Sequence, residues 1–227
     1  LLPRRFERLN TVLKRRMADL TMVLEQVQKP HNLSAIMRSC DAVGVTEIHS
    51  VCRKDCPPTF NNTAQGSQKW VNLINYSSVD IAINNLKKKG FKLYGTNLEI
   101  NACDYRDCDF TGPTAFVLGT EKWGLSERAT KMMDAALFIP MRGMVQSLNV
   151  SVAAATLLFE ALRQRQLAGI APENGEGLDP ELYDQIIFEW AYPQVANWCK
   201  LKGREYPALN SKGEIIEELP RTVKLRY

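Results

Sequence analysis

The rhythm of apolar and polar positions changes at Leu20. Upstream, Phe6, Leu9, Leu13 and Met17 recur at near-helical spacing and predict a short basic helix over residues 4–18. Downstream, short apolar runs alternate with helical stretches. The runs predict strands over 21–27, 46–51, 71–74, 91–96, 114–118 and 136–139. Between them the pattern predicts helices over 33–43, stopped by Gly44, over 78–89, capped by Ser78 and stopped by Gly90, and over 126–133. Residues 29–32 read as a loop, and the Pro-, Asn-, Gln- and Ser-rich stretch 53–70 as a long one. A long apolar helix follows the break at Pro140. Ser147 and Asn149, residue types that cap helix ends, stand where it starts, and Arg163 and Arg165 make a basic stripe where it stops.

Strands alternating with helices predict an α/β fold, a parallel sheet with helices on both faces. Ligands of such sheets bind at the carboxyl ends of the strands, so the turns after Val27, Leu93, Leu118 and Ile139 are the ones to inspect. A glycine-containing linker over 168–180 then leads to two short helices, 180–190 and 193–202, and a polar tail. Three segments are expected: a basic helical extension (1–19), the α/β domain (20–166), and a C-terminal helical extension and tail (167–227) that reads as an appendage without a core of its own.

Charge sharpens this picture only at the ends. The net charge over 227 residues is a modest +4. Yet Arg4, Arg5, Arg8, Lys14, Arg15 and Arg16 crowd the start against Glu7, and Lys200, Lys202, Arg204, Arg221, Lys224 and Arg226 crowd the tail. Basic ends suit a polyanionic partner, and they suit a solvated helix face and a frayed tail equally well. Six cysteines without a CxxC pair, and His31 and His49 as the two histidines, argue against a metal site. No apolar run has membrane-spanning length and no signal peptide is visible, so a reduced, cytoplasmic protein is expected.

Candidate chemistry sits in three turns. Gly119-Thr-Glu-Lys-Trp-Gly-Leu-Ser126 nearly matches a phosphate-binding P-loop but has Leu125 where the loop needs Lys, which excludes a nucleoside triphosphatase of that type. A GxGxxG dinucleotide signature is absent as well. What remains is a glycine-bounded turn presenting Glu121. Asn32 is placed to cap the helix that carries Arg38. Taken singly, these are a solvated Glu, a helix cap and a surface cation. Together with Ser147 and Asn149 they bring several polar groups to one sheet edge.

Asn32 with Arg38 six positions on, the LGTEKWG turn, and IPMRGMVQSLNVSVAAATLLFEA resemble the three motifs of the SPOUT superfamily's TrmH-type 2'-O-methyltransferases. The resemblance covers about residues 20–165. The basic N-terminal helix, and a tail with Tyr192-Pro193, Lys202-Gly203 and Tyr206-Pro207, resemble the branch acting on guanosine 18 of the tRNA D-loop. It implies a deep trefoil knot in the C-terminal half of the sheet, a homodimer, tRNA as partner and S-adenosylmethionine as cofactor, with no metal. Cofactor contacts would map to Thr96, Asn97 and Leu98, to Leu118 and Gly119, and to Ile139 through Leu148, including Met144, Ser147 and Leu148. Arg38, Asn32, Glu121, Ser147 and Asn149 would be catalytic. Arg4, Arg5, Arg8, Lys14, Arg15, Arg16, Arg163 and Arg165 would contact RNA. A sister enzyme acting on rRNA or another tRNA position is the near alternative, and a non-catalytic RNA-binding protein the distant one.

Overall fold

The computed structural model describes residues 2–52, 69–96, 102–120 and 122–217, so most of the expected loop over 53–70, with Asn97, Leu98 and Glu121, lies outside the described residues. The chain divides into two compact units, one of Met17–Ala171 and one joining Leu1–Arg16 to Pro172–Tyr227.

The smaller unit contains helix α1 (Pro3–Leu13), whose Phe6, Leu9 and Leu13 are buried as their spacing predicts. Helices α6 (Pro180–Ala191) and α7 (Pro193–Lys202) belong to the same unit. Phe188, Val195, Ala196 and Cys199 form its core, and the Phe188 and Tyr206 rings stack 4.8 Å apart. The C-terminal segment therefore has a core, which a single pass along the chain does not reveal, because Phe6 and Gly213 meet from opposite ends of the sequence. A Cβ at Gly213 would fall 2.4 Å from the Phe6 ring. Arg16, expected to face RNA, is instead fully buried, with its guanidinium 5.2 Å from the centre of the Trp190 ring.

The larger unit is a seven-stranded parallel sheet. Its strands are β1 (Leu20–Glu25), β2 (Glu47–Val51), β3 (Asn72–Tyr76), β4 (Lys92–Thr96), β5 (Cys103–Asp104), β6 (Thr114–Leu118) and β7 (Ala135–Phe138), in the order β3-β2-β1-β6-β4-β7-β5. The central strands β1 and β6 are buried along their whole length, as the continuous apolar runs require of a sheet covered on both faces. Helices α2 (Pro30–Val43), α3 (Val79–Lys88), α4 (Glu127–Thr130) and α5 (Val150–Leu167) complete the unit. Phe110 meets Tyr94 of β4 and Phe116 of β6 edge-on, with ring centres 5.0 and 4.9 Å away.

Three local expectations change. α2 begins at Pro30, because proline suits the first helical position, where its missing N–H is not needed. Lys29 is the cap residue, and Asn32 lies inside the first turn, 2% exposed, so it does not cap the helix. α4 is one turn long, since the chain must re-enter the sheet at Ala135. β5, two residues long, is too short to register as a pattern.

Arg165 overturns the basic stripe expected at the end of α5. It is 2% exposed and donates to the Phe110 carbonyl (3.1 Å), the Asp19 carboxylate (2.5 Å) and carbonyl (3.2 Å), and the Gly112 carbonyl (2.8 Å). It thus ties α5 to the segments entering β1 and β6, where RNA has no access to it. Arg163 does lie at the surface, forked onto Glu160 at 2.8 and 2.7 Å.

Replacing Arg165 by Ala removes the donors to the buried Phe110 carbonyl and the part-buried Asp19 and Gly112 carbonyls and should cost about 2–4 kcal/mol, read as a lower urea midpoint. A second expectation concerns His49, which is 1% exposed on β2 with neither ring nitrogen hydrogen-bonded. Burial holds its pKa below the ordinary 6.5, with Glu47 pulling it up and Lys89 pushing it down. Well above pH 6.5 neither folded nor unfolded chain protonates it, and His49 leaves stability unchanged. As pH falls through 6.5 the unfolded chain gains the proton while the folded one resists, so stability drops as the pH drops. His49→Phe should shrink the loss of stability between pH 7.5 and pH 5.5. An unchanged slope would show that His49 does not titrate this way.

Candidate active site

All seven strands run the same way, so the ends of β4, β6 and β7 open on one edge of the sheet. A cavity of about 420 Å³ lies there, lined by Thr96 from β4, Leu118 from β6, Phe138 and Leu137 from β7, and the turns that follow β6 and β7. That size falls within the range of small-molecule sites.

The turn after β6 closes on itself. Thr120 and Gly124 exchange backbone hydrogen bonds of 3.0 and 2.9 Å, the Trp123 N–H donates to the Thr120 hydroxyl at 3.0 Å, and Gly124 takes a left-handed φ of 64°. A Cβ on Gly119 would fall 1.9 Å from the Gly124 carbonyl oxygen, so the cavity wall there must be bare backbone. The far end of the turn is held by Ser126, which caps α4 and is itself gripped by Glu25 at the end of β1. The Ser126 N–H and hydroxyl donate to the two Glu25 carboxylate oxygens at 2.9 and 2.7 Å. Glu25 is 7% exposed, and nothing in the sequence pattern sets it apart.

The turn after β7 enters α5 through Asn149, whose side-chain oxygen accepts from the Ser151 N–H (2.8 Å) and hydroxyl (2.6 Å). The Asn149 amide also donates to the Asn32 side-chain oxygen at 3.2 Å. This bond joins the start of α5 to the first turn of α2, two segments 117 residues apart. Asn149 is thus both a cap and a link, and buried Asn32 has a polar role in place of the cap once expected of it.

The other expected residues distribute unevenly. Ser147 lines the cavity and Arg38 is exposed on α2. Glu121 lies outside the described residues, although its neighbours Thr120 and Lys122 both line the cavity. Of the expected cofactor contacts, Thr96, Leu118, Gly119, Ile139, Ser147 and Leu148 line the cavity, and Asn97 and Leu98 lie outside the described residues. Met144 is fully exposed and not part of the wall, because its segment bulges into solvent. Met141 and Gln146, within the expected stretch Ile139 through Leu148, line the cavity too, whereas Trp123 and Leu125 line it without having been expected to. These two lie in the LGTEKWG turn and just after it, where periodicity carries no signal. Arg4, Arg5, Arg8, Lys14 and Arg15 are exposed in the smaller unit, with Arg15 paired to Glu173 at 2.8 Å. Among the described residues no group of His, Cys, Asp and Glu is arranged to hold a metal, and no helix is long and apolar enough to cross a membrane.

This arrangement has known counterparts. A tRNA (guanosine(18)-2'-O)-methyltransferase of Thermus thermophilus is 53% identical over 186 residues, covering 82% of this chain and 95% of that protein. The crystal structure of an A. aeolicus TrmH/SpoU tRNA modifying enzyme superposes with a TM-score of 0.77 at 36% identity, over 85% of this chain and 97% of that one. The SpoU methyltransferase AviRb from Streptomyces viridochromogenes, solved in complex with the cofactor AdoMet, gives a TM-score of 0.60 at 29% identity, over 66% of this chain and 59% of that one. The sequence profile of the SpoU, rRNA methylase, C-terminal family matches residues 163–218, and that of the SpoU rRNA Methylase family matches residues 19–159, well over half the chain. The chain belongs to the SpoU rRNA Methylase family.

Proposed function

We propose that the protein transfers a methyl group from S-adenosylmethionine to the ribose 2'-hydroxyl of a guanosine in tRNA, at position 18 of the D-loop. The observation that carries this reading is the cavity at the ends of β4, β6 and β7, with the Asn32–Asn149 bond at its α5 side. The likeness to the Thermus thermophilus enzyme over 82% of the chain supports the choice of tRNA and of guanosine 18.

The cavity suits the cofactor. Its walls combine the apolar side chains of Leu118, Leu137, Ile139 and Leu148 with backbone left bare at Gly119, a surface suited to an adenosine, with Lys122 as a charged side chain in the lining. Thr96, Leu118, Gly119, Ile139, Ser147 and Leu148 would hold it. When bound, S-adenosylmethionine supplies an activated methyl group on a sulfonium. The protein must then place the 2'-oxygen in line and assist loss of its proton. Guanidinium groups are not deprotonated in proteins, so Arg38 acts by stabilising the developing alkoxide and gripping the neighbouring phosphate. The proton leaves to phosphate or water. Asn32 and Asn149 keep α2, which carries Arg38, in register with the turn that carries Ser147, and Glu121 is assigned to the site by its motif alone.

Three further features belong to this reading. A deep trefoil knot in the C-terminal half of the sheet is supported by β6 and β7 flanking β4. A homodimer is supported by Val152 and Phe159, seven residues apart and about half exposed on a helix whose other face is already core. The exposed cations of α1 suit tRNA phosphates, with residues 1–19 and 167–227 acting as RNA-docking extensions of a methyltransferase domain over 20–166. The cytoplasm, where tRNA and S-adenosylmethionine meet, is the proposed location.

Unmodified tRNA incubated with the protein and labelled S-adenosylmethionine should gain one 2'-O-methyl group, mapped to guanosine 18; methylation of rRNA alone would overturn the tRNA assignment. Arg38→Ala should lower kcat about 100- to 1,000-fold, the range for removing one transition-state donor, with S-adenosylmethionine affinity within about threefold. A parallel loss of cofactor affinity would move Arg38 out of the reacting centre. In sedimentation the wild type should run as a dimer and Phe159→Asp as a monomer, whereas a monomeric wild type would dismiss the dimer.

A further inference from the structure

We propose that Trp123 is the stacking platform for the base of the nucleotide whose ribose is methylated, and so sets a preference for purines. This rests on the reading of the cavity as a ribose methylation site. The indole is 77% exposed, yet it belongs to the cavity wall. A lone exposed apolar side chain is ordinary on a protein surface. The way this one is held is not.

The described residues of the turn beneath the ring are tied at several points. Thr120 and Gly124 bond reciprocally, the Trp123 N–H is taken by the Thr120 hydroxyl, and Ser126 is clamped by both oxygens of buried Glu25. A large flat ring is thus presented to solvent by a rigid backbone at the mouth of a cavity, with little ordering left to do when a ligand arrives. Lys122 places its ammonium 4.7 Å from the ring centre, against one face. The opposite face is left for a π-system, and the ammonium adds positive charge where a nucleotide's flanking phosphate would pass.

A nucleobase beside the ribose meets these conditions. Single-stranded RNA is read by splaying bases onto aromatic side chains, and each such stack changes affinity by about 5- to 150-fold. Purines offer the larger face, so the platform favours guanosine and adenosine over pyrimidines. Hydrogen bonds elsewhere are needed to separate the two purines.

The test uses the full-length protein and its Trp123→Ala, Trp123→Phe and Trp123→Tyr variants, with tRNA transcripts carrying guanosine, adenosine, cytidine or uridine at the methylated position. S-adenosylmethionine affinity is measured separately by calorimetry. Trp123→Ala should lower kcat/KM for the guanosine transcript about 5- to 150-fold and shrink the purine-over-pyrimidine ratio. Cofactor affinity should stay within about twofold, and Phe or Tyr should restore most of the activity. Because the indole is exposed, thermal melting of the variants should match the wild type. Equal losses of cofactor affinity and RNA activity would place Trp123 over the cofactor and overturn the proposal, as would an unchanged purine ratio or a Phe variant as poor as Ala. A wild type inactive on every transcript would overturn the methylation reading itself, and this assignment with it.

Discussion

Helix α5 is pinned at both ends, and the rest of the larger unit depends on that. At one end Asn149 caps the helix and reaches Asn32 on α2. At the other, Arg165 is buried and spreads its guanidinium over Asp19, Phe110 and Gly112, which lead into β1 and β6. Eighteen helical residues span about 27 Å, enough to run from one edge of the sheet to the other. The helix therefore transmits the position of the strands' amino ends to the turn that borders the cavity. An aliphatic residue at 165 would pack there but would not satisfy the carbonyls that arginine gathers.

The site relies on backbone more than on side chains. Gly119 must be glycine because the turn after β6 doubles back to within contact of itself. Gly95, one residue before the end of β4, is limited by side chains instead: a Cβ there would lie 2.7 Å from the Met133 side chain. Buried Glu25 then does for the turn what Arg165 does for the helix, using one charged group to satisfy two donors that would otherwise be left without partners.

Much of the frame was legible in the letters. The run Thr114–Leu118 is a strand with the bounds its apolar pattern predicts, and the spacing of Leu33, Ile36, Met37, Cys40 and Val43 announces the buried face of α2. Gly44 ends that helix in a left-handed conformation with φ 92°, as a glycine stop should. Legibility failed where one residue type serves two purposes. Pro30 reads as a loop residue and is a helix start. Arg165 reads as a surface cation and is a buried brace. Asn32 reads as a cap and is a partner to Asn149.

Sequence alone determined the alternation of strands and helices, the parallel sheet, the edge at which chemistry must sit, and the motif letters there, because period and turn chemistry are local properties of the chain. Tertiary structure decided which of those letters meet. It set the bond between Asn32 and Asn149, the burial of Arg16 and Arg165, the clamp of Glu25 on Ser126, and the joining of α1 with the C-terminal helices in one unit with its own core. Each of these pairs residues far apart in the chain, from 53 positions between Gly112 and Arg165 to 117 between Asn32 and Asn149 and 146 between Asp19 and Arg165. No local periodicity records such a separation, and closing it becomes favourable only when many contacts form together.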